Sequence, residues 1–275
     1  MNSYNKNVLI LGAFGRLGSS LSVCLAKDFN VFRAGRSISS EVHMDEITPS
    51  SLKEVLSKND IGVIVNLIAC TDISECERNP INAFMANAVI PKYIVDAANT
   101  INKNIFILHI SSDQVYSGLY MHTEDQPNPC NIYAASKLAG EIPIRSYVNS
   151  CVLRTNYFGI STAKNKNSFL DWLVNSINSS KEITIFKNVF FSPVGSNSLC
   201  NLINRVINVR LNGLYNFGSS KQISKADFAI MTAKILGAKE TKFKINDYFS
   251  NENIVRPLNM SMDSTKILKE LKMDP

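Results

Sequence analysis

Asn7-Val8-Leu9-Ile10-Leu11-Gly12-Ala13-Phe14-Gly15-Arg16-Leu17-Gly18 stands near the start of a chain of 275 residues and sets its architecture. Its first five residues are a short apolar run of the kind that forms a strand buried on both faces of a parallel sheet. Gly12, Gly15 and Gly18 then let the backbone turn tightly, and the pattern to about Lys27 is that of an amphipathic helix. A glycine turn between a strand and a helix lets a diphosphate approach the helix N-terminus, where free N–H groups and the dipole attract anions. Glycines at this spacing are common; with a strand before them and a helix after, they predict dinucleotide binding.

Outward from that turn, a second strand over about Asn30 to Ala34 ends in Gly35-Arg36-Ser37. An acidic residue at this place holds the ribose 2′-hydroxyl of NAD, whereas an arginine accommodates the 2′-phosphate of NADP. Neither Asp nor Glu occurs from Val31 to Ser40, so Arg36, with Arg33 as a second candidate, points to NADPH, with NADH as the alternative. Val42 to Asp45 reads as a short third strand. A helix follows with Thr48 as N-cap and Pro49 at its first position. Ile61 to Ala69 reads as a central strand that turns Asn66 toward the cofactor crevice, where ligands of open α/β sheets bind. A helix is expected over Ile81 to Thr100 and a strand over Ile105 to Ile110, in which His109 is a core residue rather than a catalyst. Ser111 to Gly118 lies at the carboxyl end of that strand. Five alternations of strand and helix predict a doubly wound parallel sheet, Rossmann-like, within an α/β fold.

Tyr133-Ala134-Ala135-Ser136-Lys137 carries the chemistry. If Tyr133 opens a helix, Lys137 lies one turn on along the same face. A phenol is a poor proton donor at neutral pH because its reference pKa is about 10. A nearby ammonium is expected to pull that value down, so that the pair passes a proton to or from a substrate oxygen. Tyr and Lys at this spacing also occur on helices that do no chemistry; the turn at Gly12 and the hydroxyl of Ser112 give the pair its meaning.

Beyond Thr155 the pattern changes. Asn156 to Asn167 is polar and aperiodic and reads as a mobile loop at the site. Short helices and strands follow, around Ser168–Ser179, Ile183–Ile185, Phe190–Phe191, Ser196–Asn208, Gly213–Asn216, Ser224–Leu236 and Asp263–Leu271. The expected division is a dinucleotide-binding part over 1–155 and a smaller C-terminal α/β substrate-binding lobe over 156–275, with part of the sheet returning after 155. The hydrophobic share of 45% and the charged share of 19% are those of a globular protein. Six cysteines without a CxxC and three separated histidines predict reduced thiols in a cytoplasmic protein and no metal site. No signal peptide or membrane span is readable. A net charge of +6, spread along the chain, suits an anionic small molecule and gives no footprint for nucleic acid.

These residues resemble an extended short-chain dehydrogenase/reductase and, within that superfamily, the dTDP-4-dehydrorhamnose reductase family. The resemblance runs along essentially the whole chain: the glycine turn, Asn66 to Thr71 followed by Glu77, Asn87-Ala88 with Pro91, and Ser111 to Gly118. It continues through Tyr133 to Lys137 with Gly140-Glu141, Leu153-Arg154-Thr155, Gly213 to Phe217 and Arg256-Pro257-Leu258-Asn259. It implies a catalytic triad of Ser112, Tyr133 and Lys137. It implies cofactor contacts from Gly12, Phe14, Gly15, Arg16, Leu17, Gly18, Arg36, Asp45, Asn66, Leu67, Ala69 and Asn87, besides Tyr133 and Lys137, and substrate contacts from Thr71, Ser112, Gln114 and Asn156. The implied activity is NADPH-dependent reduction of a 4-keto-6-deoxy sugar nucleotide, in deoxysugar and cell-surface polysaccharide (lipopolysaccharide) synthesis, by a cytoplasmic protein that could pair as a homodimer. The chain departs from the family in a shorter stretch between Ser112 and Tyr133, and in Asn156 where an aromatic is expected. A sugar-nucleotide dehydratase is disfavoured because Gln114, standing where that enzyme carries an acid, cannot abstract a proton. A 4-epimerase would suit retained NAD, and a cofactor-binding regulatory subunit would not need Tyr133 and Lys137.

Overall fold

Strand β1 (Asn7–Leu11) alternates its side chains between two apolar layers. Val8 and Ile10 enter one, Leu9 and Leu11 the other, and all four are at most 1% exposed. That period of two, with both faces covered, marks a central parallel strand. The computed structural model describes residues 5–36, 39–101, 104–159, 168–179, 182–238, 241–249 and 254–274.

Around β1 lie β2 (Asn30–Gly35), β3 (Val42–His43), β4 (Val63–Asn66), β5 (Phe106–Ile110), β6 (Ser150–Thr155) and, from far along the chain, β11 (Gly213–Phe217). They form one seven-stranded sheet in the order β11-β6-β5-β4-β1-β2-β3 with every pairing parallel. The order reverses between β1 and β4, and the crevice for a ligand opens above their carboxyl ends.

Helix α1 (Arg16–Leu25) packs on one face through Leu17, Leu21 and Leu25, beside α8 (Ser196–Val209) and α10 (Thr265–Glu270). On the other face lie α2 (Pro49–Lys58), α5 (Ile90–Asn99) and α6 (Ile132–Ser146). The start of α2 is the expected one: Thr48 and Ser51 form a reciprocal capping box with Pro49 at the first turn. A third apolar cluster joins α7 (Phe169–Asn178), β8 (Ile183–Phe186), β9 (Phe190–Phe191) and α9 (Lys225–Ile235). This lobe also contains β7 (Tyr157–Phe158), β10 (Val194–Gly195), β12 (Ile223–Ser224) and β13 (Phe243–Asn246); β7 pairs with β10, β12 with β9 and β13 with β8.

The structure corrects several boundaries. The helix expected over 81–100 is present as α4 (Pro80–Phe84), a π-helical turn over Met85–Val89 and α5 in unbroken succession, and a separate α3 (Ile73–Arg78) precedes it. Pro91 has no N–H to offer the carbonyl one turn back, which is that of Asn87. Gly140 of α6 lies against the freed carbonyl: a Cβ there would stand 1.9 Å from Asn87 O. Strand β4 ends at Asn66 rather than running to Ala69, because the Asn66 side chain accepts the N–H of Ile68. The third strand is only two residues long, and Asp45 lies beyond it. Of the loop expected over 156–167, Tyr157 and Phe158 form β7 against β10; 160–167 lie outside the described residues.

Candidate active site

The turn after β1 is built as its glycines require. Gly12 has φ +82°, which favours glycine, and a Cβ on Gly18 would lie 2.4 Å from Gly12 O and 2.6 Å from Ala13 O. The first helical turn therefore packs directly on the loop. Gly15 at the N-cap brings no side-chain cap, so backbone N–H groups of α1 are available to an anion. Two cavities meet there, sharing Gly12, Gly15, Leu67 and Ala69. One, of about 620 Å³, is lined by Phe14, Arg36 and Asp45. The other, of about 650 Å³, runs past Arg16, Leu17 and Gly18 to Ser112, Tyr133 and Lys137, and includes Thr71, Gln114 and Asn156. Together they make one crevice with a glycine turn at its middle, which fits a dinucleotide with its diphosphate on α1.

Tyr133 sits in the first turn of α6, whose N-terminus is held from two sides. Asn131 Oδ1 accepts the N–H of Ala134, and Glu77 Oε1 accepts the N–H of Ile132 at 2.7 Å. Lys137, one turn on, is 2% exposed and donates from Nζ to the Ile110 carbonyl at 2.7 Å. Ser112 leaves the end of β5 and caps a short 3₁₀ turn, its Oγ accepting from Gln114 N. All three residues converge on the carboxyl end of β5.

The electrostatics correct one expectation. Tyr133 is not acidified: burial pushes the phenol well above its ordinary value, Asp113, Cys76 and Tyr157 push the same way, and only the Ser112 hydroxyl opposes them. Lys137 is itself pushed down to about 8 by burial, with Glu141 opposing. In a low-dielectric site both groups favour their neutral forms. Tyr133 is thus a phenol with its proton in place, the form a reduction needs. Because Lys137 holds its charge only below about pH 8, turnover is expected to fall as pH rises through that value. A Lys137→Arg variant, whose guanidinium stays charged, should keep its smaller activity flat across that range. A wild-type pH profile without a limb near 8 would contradict this role.

Two proposed cofactor contacts do not line the crevice. Asn66 is fully buried and lies 3.0 Å from His109 Nδ1. Asn87, also fully buried, accepts the Cys70 N–H and donates to the Cys70 carbonyl and to Ser136 Oγ. Both hold backbone in place. Arg33, the second candidate for the 2′-phosphate, has its guanidinium and N–H bound by Glu41, one residue past the acid-free stretch. Arg36 remains, exposed beside the adenosine end. His109 is the core residue expected, kept neutral by burial and by the charge of Lys137.

Two features of the site leave no signal in the sequence. Asp113 is 2% exposed, accepts from Asn156 Nδ2 and is pushed up to about 6 by burial. Lys225, whose Nζ stands 3.5 Å from the Phe191 ring centroid and 4.4 Å from that of Phe169, supplies a positive charge that opposes this rise. Behind the triad, Arg154 and Glu141 form a fully buried bidentate pair at 2.6 and 2.9 Å. Tyr116 joins it through Arg154 Nη1, and Ser111 through Glu141 Oε1. Among the described residues no cluster of His, Cys, Asp and Glu is arranged to hold a metal ion, and no helix is long and apolar enough to cross a membrane.

Comparison with known proteins agrees with this geometry. The model of the RmlD substrate binding domain matches residues 6–275. The dTDP-4-dehydrorhamnose reductase of Escherichia coli (strain K12) is 27% identical over 240 residues, 82% of this chain and 76% of that protein. The crystal structure of the dTDP-4-dehydrorhamnose reductase from Yersinia enterocolitica superposes with a TM-score of 0.84 at 27% identity, covering 97% of this chain and 93% of that one. That of the Bacillus anthracis reductase in complex with NADP superposes with a TM-score of 0.85 at 22% identity, covering 98% and 94%, and shares the fold.

Proposed function

The chain belongs to the RmlD substrate binding domain family, and from that premise we propose that it reduces the ketone of a 4-keto-6-deoxy sugar nucleotide with NADPH in deoxysugar synthesis. The observation that carries the reading is that the Tyr133 phenol, Ser112 and Lys137 line the same crevice as the Gly12–Gly18 turn. The residues fit the cofactor: the turn and the α1 N-terminus would take the diphosphate, Arg36 the 2′-phosphate, and Lys137 a hydroxyl of the nicotinamide ribose. Bound there, NADPH would supply a hydride, two electrons and a hydrogen nucleus, to the ketone carbon. Ser112 donates to the carbonyl oxygen and orients it. Tyr133 gives its proton to that oxygen as negative charge develops, a transfer worth roughly 10²–10⁴ in rate. Lys137, fixed by the Ile110 carbonyl, stabilises the phenolate left behind. Thr71, Gln114 and Asn156 line the sugar end.

Reduction is favoured over dehydration because Gln114 is an amide, engaged with Met260 Sδ, and supplies no base. The division into a dinucleotide-binding part over 1–155 and a substrate-binding lobe over 156–275, the cytoplasmic location and a homodimer belong to the same proposal; equilibrium sedimentation tests the last. Purified protein with NADPH and a panel of keto-sugar nucleotides tests the activity: oxidation of NADPH with at least one 4-keto-6-deoxy sugar supports it. No oxidation across the panel would favour a regulatory subunit, and inversion without net oxidation an epimerase. Arg36→Ala should weaken NADPH binding by roughly tenfold, the worth of about 1.4 kcal/mol, and NADH binding little. Equal losses measured by titration would remove Arg36 from the 2′-phosphate site.

A further inference from the structure

Cys70 and Cys76 lie outside the proton-transfer machinery, yet their sulfurs stand 3.4 Å apart, and Cys76 Sγ also lies 3.6 Å from the Cys70 carbonyl oxygen. The two residues bracket Thr71, Asp72, Ile73 and Ser74, all of which line the crevice. Cys76 is fully buried and packs with Ala83 and Tyr133. Cys70 is only partly buried, and its backbone N–H and carbonyl are both clamped by Asn87. A disulfide bond is about 2.05 Å long, so the sulfurs have roughly 1.4 Å left to approach before the link closes.

We propose that Cys70 and Cys76 are a peroxide-sensitive dithiol, a modification site that closes to an intramolecular disulfide at the wall of the crevice. Disulfides formed among otherwise reduced thiols are usually transient and redox-sensing. Cys70 reacts first, because it is only partly buried whereas Cys76 is fully buried. Burial and the neighbouring Cys70 push the Cys76 thiol up to about 12, which keeps it from starting the reaction. Hydrogen peroxide accepts two electrons from the Cys70 sulfur, giving a sulfenic acid and water. The Cys76 sulfur then attacks the Cys70 sulfur, and hydroxide leaves with the Cys76 proton as a second water. The link ties both ends of the segment that lines the crevice and draws Cys76 away from its packing on Tyr133. Turnover, which rests on the reductase reading, should fall several-fold and return on reduction.

The test uses the full chain treated with hydrogen peroxide, blocked with N-ethylmaleimide and mapped by peptide mass. The expected result is one linked peptide joining Cys70 to Cys76, lost after dithiothreitol and still formed in a Cys24→Ser/Cys130→Ser variant. In a Cys76→Ser variant, Cys70 should instead be trapped by dimedone as the sulfenic acid. Recovery of both cysteines as maleimide adducts, or of Cys70 as sulfinic acid without a link, would overturn the proposal. These mass readouts do not depend on activity, so a protein inert toward every keto sugar could still show the link. Unchanged turnover in an active, fully linked protein would overturn the coupling to the crevice.

Discussion

Tyr133→Phe lowers turnover by two or more orders of magnitude and leaves NADPH affinity nearly unchanged. The ring stays packed against Cys76 and Ala83, and the N-terminus of α6 stays held by Asn131 and Glu77, so only the phenolic proton is removed. Burial keeps that proton on the oxygen at neutral pH. The wild-type residue is therefore ready to protonate an alkoxide, and phenylalanine has nothing to give. Single-turnover kinetics with saturating NADPH separate the loss of chemistry from a loss of binding. Near-normal turnover would remove Tyr133 from the mechanism.

Arg154→Met destabilises the fold by roughly 3–5 kcal/mol, the usual penalty for stranding one member of a buried ion pair. Arg154 and Glu141 are both fully buried, and their network ties α6 to β5 through Ser111 and to β11 through Tyr116 and Asn216. Without the guanidinium, Glu141 keeps its bond from Ser111 and the attraction of Lys137 one turn back but loses both charge-assisted hydrogen bonds in a fully buried site. Arg154→Met/Glu141→Leu should recover more than half of the loss, because an apolar pair of similar volume is often tolerated where a lone charge is not. Urea midpoints at constant m-value read both effects. A single variant within about 1 kcal/mol of wild type would mean that the pair is not a structural hub.

What the sequence made legible was local. Strand β1, its glycine turn and α1 are encoded in one contiguous stretch. Helix α7 announces itself through Ser168, whose hydroxyl and backbone N–H pair reciprocally with Asp171, and β11 stands out as a short apolar run. What stayed hidden depends on partners far along the chain. The π-helical turn needs the proline at 91 together with the bare glycine at 140 on another helix. Asn66 looked like a cofactor contact because it ends a strand at the crevice, and Asn87 because the family resemblance implied it, but His109, Cys70 and Ser136 claim their amides first. Arg33 looked free because Glu41 lies one residue past the acid-free stretch. The acidified phenol was expected from Lys137 alone, and burial reversed the sign. The Lys225 charge acting on Asp113 and the Cys70–Cys76 contact are products of tertiary packing, invisible in spacing.

The most direct test of the central claim, that Tyr133 protonates a sugar carbonyl reduced in the same crevice, is to follow the reducing hydrogen. NADPH deuterated at the reactive carbon of its nicotinamide is mixed with the enzyme and a 4-keto-6-deoxy sugar nucleotide, and the product is read by nuclear magnetic resonance. One deuterium at C4 of the sugar, delivered in step with NADPH oxidation and nearly abolished in Tyr133→Phe, is the predicted result. A product with no deuterium at C4, or labelling that proceeds unchanged without the phenol, would contradict it.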